Sequence, residues 1–204
     1  MVTRIFSLNI GHTVSAVWHK ERLDGGIQMV ARPNIADAIG LCAGTVAVWL
    51  KKSIATGDRG ILSADELGPQ HLIAIVQGAY ELSTIPFSRG LDDIDSMINL
   101  LISQNLIYTE FLRGTGILDP LCIANWVLRK TGHCLFAFGS PEGDGHVLGM
   151  RYEGGILELL EPTIGLVRYT DAATFAQQFQ LLISHCYPVC LGGEWGIFRV
   201  EASY

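Results

Sequence analysis

The stretch LCAGTVAVWLKKS, Leu41 to Ser53, decides how the rest of the chain is read. Its spacing puts Leu41, Thr45, Val48 and Trp49 on one face of a predicted amphipathic helix, and Lys51 and Lys52 come toward the end where the macrodipole favours cations. Gly57 and Gly60 close it. Cys42 then falls in the first turn. A thiol there meets unpaired backbone N–H groups and the positive end of the dipole, which together lower a cysteine pKa from about 8.5 by one to several units.

Downstream, residues 69–82 read as a helix, and DDIDSMINLLISQNLIYTEFL, residues 92–112, reads as another with Asp92, Asp93 and Asp95 at its start. A further helix, LCIANWVLRKTG (121–132), follows Asp119-Pro120. The texture then changes to short apolar or alternating runs separated by Gly and Pro: HCLFAFG (133–139), GHVLGMRYEG (145–154), GILELLEP (155–162) and GLVRYT (165–170). That is the pattern of an antiparallel meander. DAATFAQQFQLLIS (171–184) reads as a helix capped by Asp171, and EWGIFRVE (194–201) as a last strand. Upstream, residues 1–33 are mixed, with an apolar start from Ile5 to Ile10, a strand around Val14 to Trp18 and a turn at Gly25-Gly26. The expected architecture is a single α+β domain over residues 1–204, in which a helical half carrying the cysteine packs on an antiparallel sheet half, with a cleft between them.

Composition agrees with a folded chain. Of 204 residues 49% are hydrophobic and 17% charged, and the mean hydropathy is +0.33. No apolar run reaches the roughly 18 to 20 residues that span a bilayer, so no integral membrane segment is expected. The first residues lack the apolar core and cleavage site of a secretory signal, so none is expected. Net charge is −6, and the 14 basic residues form no cluster longer than Lys51-Lys52, which excludes a nucleic-acid footprint. Five irregularly spaced cysteines make no disulfide framework, and at least one thiol is expected free.

The chemistry is read from what could meet Cys42. His146 opens a predicted strand just after Gly143-Asp144-Gly145, which hands its imidazole toward the helix. Glu161 lies fifteen residues on, at the end of the next strand and before Pro162, a separation that suits neighbouring hairpin strands. Glu158 and Asp144 are the competing carboxylates. A thiol activated by an imidazole that a carboxylate orients is the apparatus of a thiol hydrolase, so Cys42, His146 and Glu161 are the expected catalytic triad. An oxyanion would be held by the Cys42 N–H and an upstream amide, Asn34 in preference to Gln28. Asp37 reads as a helix cap.

Other clusters carry less. His133, Cys134, His185, Cys186 and Cys190 match no finger or ribbon spacing, and the glycines of GSPEGDG and LGGEWG lack the Lys-Ser/Thr of a phosphate loop, so no metal and no cofactor are expected. Trp49, Trp126 and Trp195 read as core, with Trp195 also placed to line a cleft rim.

Gly40-Leu41-Cys42, Trp49-Leu50 seven and eight residues after the cysteine, and GHVLGMRYEGGILELLEPTIGLVRYTDAATFAQQF (145–179) together resemble the YopT and AvrPphB group of bacterial effector cysteine proteases, a papain-like clan. The resemblance covers about residues 34–55 and 118–183. In that group the histidine opens a strand after a Gly and a hairpin leads to an Asp-Pro-Asn-x-Gly turn. Here the turn is Glu161-Pro162-Thr163-Ile164-Gly165, with Glu for the family's Asp. The resemblance implies a papain-like fold, a protein or peptide substrate in a target cell and delivery from the bacterial cytoplasm by a specialised secretion system as an effector or toxin. A cognate inhibitor or immunity protein would accompany a toxin of that kind. The same triad also serves glutamine deamidases and acyltransferases, and a catalytically impaired binding module is the expectation from a different class.

Overall fold

A computed structural model describes residues 2–8, 17–23, 26–32, 41–84, 93–139 and 145–203. Within them the chain forms β1 (Val2–Ser7), β2 (Val17–Leu23), β3 (Gly26–Arg32), α1 (Cys42–Thr56), α2 (Gln70–Thr84), α3 (Asp93–Ser103), β4 (Leu106–Thr115), α4 (Pro120–Leu128), β5 (Gly132–Gly139), β6 (Gly145–Glu153), β7 (Ile156–Glu161), β8 (Gly165–Tyr169), α5 (Ala172–Cys186) and β9 (Glu194–Ala202). Seven strands make one antiparallel sheet in the order β1-β8-β7-β6-β5-β9-β4, and β2 and β3 pair with each other as a separate hairpin.

The centre of the sheet is the meander read from the sequence. Its β6–β7 hairpin turns on Gly154 and Gly155, at φ +56° and +78°, a two-residue turn in the left-handed region that glycine enters without strain. The register that follows, with Gly149 opposite Leu160, brings Glu161 diagonally across from His146. At the β7–β8 turn Gly165 has φ +118°, and a Cβ there would lie 2.0 Å from the Phe6 carbonyl oxygen of β1. Only glycine lets the edge strand close in.

Alternation along the strands divides the core in two. Leu135, Ala137, Val147, Leu160 and Phe198 face α1, α2 and α3, whereas Cys134, Phe136, Phe138, Leu148, Leu157 and Leu159 face α4 and α5. Helices therefore cover both faces, with the cysteine-bearing set on one of them.

Three expectations change. The helix read over 92–112 ends at Ser103; Asn105 turns the chain at φ +58°, and 106–115 is the strand β4, paired along its length with β9. Its run of β-branched and aromatic residues, Ile107, Tyr108, Thr109 and Phe111, favours a pleated surface once β9 offers a ladder. Helix α1 is buried on nearly all sides and is not amphipathic, because α2 and α3 cover the face turned away from the sheet. It also runs on to Thr56, so Lys51 and Lys52 miss its last turn, and Lys52 Nζ instead donates to the Glu66 carbonyl at 2.8 Å. Of the expected strand at Val14 to Trp18, Val17 and Trp18 lie in β2, and residues 14–16 lie outside the described residues. No helix among the described residues is long and apolar enough to cross a membrane.

Candidate active site

Cys42 is the first residue of α1, preceded by Leu41 at φ −108°, ψ 0°, with no side-chain cap. First-turn N–H groups have no intrahelical acceptor. That of Gly44 is taken by Gln77 Oε1 of α2 at 2.8 Å, in a crossing so close that a Cβ on Gly44 would lie 2.7 Å from the Ile73 carbonyl oxygen. Gln77 is buried and holds the helix start, and Cys42 beside it is partly buried.

His146 is the second residue of β6, with its side chain 12% exposed. Its Nε2 lies 2.8 Å from Glu161 Oε1, and the ring also hydrogen-bonds the Cys42 side chain. With Nε2 occupied by Glu161, Nδ1 is the nitrogen left for the sulfur. Burial pushes the imidazole pKa down, but the hydrogen bonds to Cys42 and Glu161 and their charges outweigh it and push it up to about 9. Glu161 is buried; burial pushes its carboxyl up, and the hydrogen bonds from His146 and Thr163, the charge of His146 and the hydrogen bond from Tyr187 together hold it below the usual carboxylate range. Thr163 binds the far oxygen twice, through its N–H at 3.0 Å from Oε2 and through its hydroxyl.

Two residues that sequence reasoning missed complete the cluster. Tyr187, just past α5, places its hydroxyl 2.9 Å from His146 Nε2 and 2.8 Å from Glu161 Oε1. Its ring stacks on the imidazole at 4.6 Å and 21°, and Phe138 meets both rings edge-on. No local pattern marks a tyrosine forty-one residues beyond His146. Thr163 had a signal, since it occupies the third position of the turn that holds Glu161.

The competing carboxylate Glu158 is engaged elsewhere: it is fully buried and bonds Arg168 Nε at 3.0 Å and Arg151 at 3.5 Å. Asp144, Asn34 and Asp37 lie outside the described residues, and Gln28 sits on β3 opposite Glu21. Of the residues weighed as metal ligands, His133 bonds Ser53, His185 bonds the Leu181 carbonyl of its own helix, and Cys134 is buried in the core. Trp49 and Trp126 are core residues, and Trp195 is packed against Gly114 across β4 and β9. All five cysteines are free.

The fold is that of the papain-like cysteine proteases. The crystal structure of the Pseudomonas avirulence protein AvrPphB is similar at TM-score 0.62 and 16% identity, over 79% of this chain and 92% of that one. The ubiquitin-specific protease of the murine cytomegalovirus tegument protein M48, solved with a ubiquitin-based suicide substrate, is similar at TM-score 0.54 and 13% identity, over 98% of this chain and 85% of that one. No family model and no curated protein matches the chain. The fold implied by the sequence resemblance is thus the fold observed.

Proposed function

We propose that this chain is a cysteine peptidase of the papain-like kind, a single domain acting through a Cys42–His146–Glu161 triad. The observation that carries the reading is the hydrogen-bonded line from the Cys42 side chain through His146 to Glu161, at the N-terminus of a helix. The Cys42 sulfur attacks a peptide carbonyl beside the His146 imidazolium, whose Nδ1 already holds the proton. His146 gives that proton to the departing amine, leaving a thioester that water hydrolyses with His146 as base. Glu161 holds the imidazolium and its orientation throughout. The Cys42 N–H and an amide at Asn34 stabilise the tetrahedral oxyanion. Likeness to an avirulence protein and to a ubiquitin-specific protease supports a protein substrate, and the former supports an effector role in a target cell after delivery by a specialised secretion system.

Iodoacetamide labelling at pH 6, read by peptide mass spectrometry, is the test. Cys42 is expected to react far faster than the exposed Cys122 and Cys186, and to lose that advantage in His146→Ala. Equal labelling of the three accessible thiols would refute the reading.

A further inference from the structure

The departure from the family turn at position 161 lengthens the orienting carboxylate by one methylene and adds a rotatable bond. A carboxylate with more freedom holds an imidazole less well, unless other groups remove that freedom. Four donors do so here. Oε2 takes the Thr163 N–H and hydroxyl, and Oε1 takes His146 Nε2 and the Tyr187 hydroxyl. The Thr163 contacts come from the turn itself. The Tyr187 contact comes from another element, so it ties the turn to α5.

Tyr187 is itself held. It caps α5, its N–H donates to the Ile183 carbonyl at 3.1 Å, its carbonyl accepts from the Cys190 N–H at 3.1 Å, and Pro188 follows it. Its ring lies flat on the imidazole, with Phe138 edge-on to both, so the His146 ring cannot turn about its own axis without breaking that packing. Proton accounting is consistent: the phenol donates to Oε1 and offers its oxygen to Nε2–H, so Nε2 keeps its proton and Nδ1 is left toward Cys42.

We infer that Tyr187 is a positioning residue of this centre: its hydroxyl and ring lock the Glu161 carboxylate and the His146 imidazole in the orientation that serves Cys42, which lets a glutamate act where the family turn has an aspartate. The inference rests on the thiol hydrolase reading above. Tyr187 acts through Glu161 and His146, both of which its hydroxyl bonds. Its hydrogen bond is one of those holding Glu161 below the usual carboxylate range, so its loss moves that carboxyl up and weakens the imidazolium's partner on the acid side.

The experiment follows the rate of Cys42 alkylation by iodoacetamide from pH 4 to 10 in the wild type, Tyr187→Phe, Glu161→Ala and the double variant. Tyr187→Phe keeps the ring and removes the hydroxyl. It is expected to slow Cys42 alkylation at pH 6 by about tenfold, as the loss of one hydrogen bond to a charged group does, and to move the acid limb to higher pH. In the Glu161→Ala background the same change is expected to slow the reaction clearly less than in the wild type, because of the two groups the hydroxyl holds only His146 remains. A Tyr187→Phe profile that superimposes on the wild type, or an equal effect with and without Glu161, overturns the inference while leaving the thiol hydrolase reading intact. A wild type with no selective Cys42 reactivity overturns both. Should Tyr187→Phe not fold, Tyr187→Met removes the hydroxyl with an unbranched chain that adapts to the space, and the same outcomes apply.

Discussion

Two histidines on adjacent central strands, His133 buried and His146 mostly so, end up in different charge states. His133 on β5 hydrogen-bonds the Ser53 hydroxyl of α1 at 2.9 Å, and burial, with the Arg151 charge added, pushes its pKa down to about 3. His146 on β6 meets a carboxylate and a thiol, and its pKa is pushed up to about 9. Desolvation acts the same way on both, so the partners decide: a neutral hydroxyl beside a guanidinium leaves the imidazole neutral, and Glu161 with Cys42 makes it a cation. A buried Ser-His pair that looks like a nucleophile and its base is therefore part of the packing. What marks the other cluster is the carboxylate and the thiol that His146 meets.

Removing each ring separates the two most sharply. His146→Ala is expected to lower Cys42 alkylation at neutral pH by roughly 10²- to 10⁴-fold, the range of general acid–base contributions. At the other pair, Ser53→Ala leaves His133 Nε2 buried without its partner and is expected to cost about 1–3 kcal/mol in urea unfolding while the pH profile of Cys42 alkylation stays put.

Stability against pH sharpens the contrast, because the signs oppose. His146 has a folded pKa above its ordinary 6.5, so its contribution is full below about 6.5 and is lost as pH rises through about 9. His133 has a folded pKa below 6.5, so its cost appears as pH falls from about 6.5 through about 3, and Glu161 adds to that acid-side loss. Each arm amounts to a few kcal/mol. Urea midpoints measured from pH 4 to 10 are expected to peak near pH 6.5, with His146→Ala flattening the alkaline arm and His133→Phe reducing the acid arm. The smallest effect belongs to Thr163→Ala, which keeps the backbone N–H on Glu161 Oε2 and loses the hydroxyl. Alkylation of Cys42 is expected to slow by no more than about fivefold, and a larger loss would assign Thr163 a greater share of the orientation.

Much of this was legible beforehand because it is local. Gly154-Gly155 between alternating runs marks a hairpin, Asp171 before an apolar repeat marks a helix start where its side chain accepts the Thr174 N–H at 2.7 Å, and the fifteen-residue interval allowed His146 and Glu161 to meet. Helix α1 began where the cysteine was expected to lie in a first turn. Other parts left no local trace. The strand β4 follows an apolar helix without a strong break, and its conformation depends on β9, about ninety residues away in the chain. The insertion of β9 between β5 and β4, and the pairing of β1 with β8, are choices among edges that the strands themselves do not encode.

The amino-acid order by itself determined the central meander and the helix carrying Cys42, and it picked out Cys42, His146 and Glu161 as side chains the fold brings together, because periodicity, turn residues and short intervals act over a few residues. The tertiary structure alone decided which carboxylate serves which imidazole. Glu158 and Glu161 are three residues apart on one strand and His133 and His146 sit on neighbouring ones, yet burial beside Arg151 and Arg168 consumes Glu158, while Tyr187 and Thr163 hold Glu161 against His146. Charge in a buried site is set by all the groups that surround it, and those arrive from distant parts of the chain.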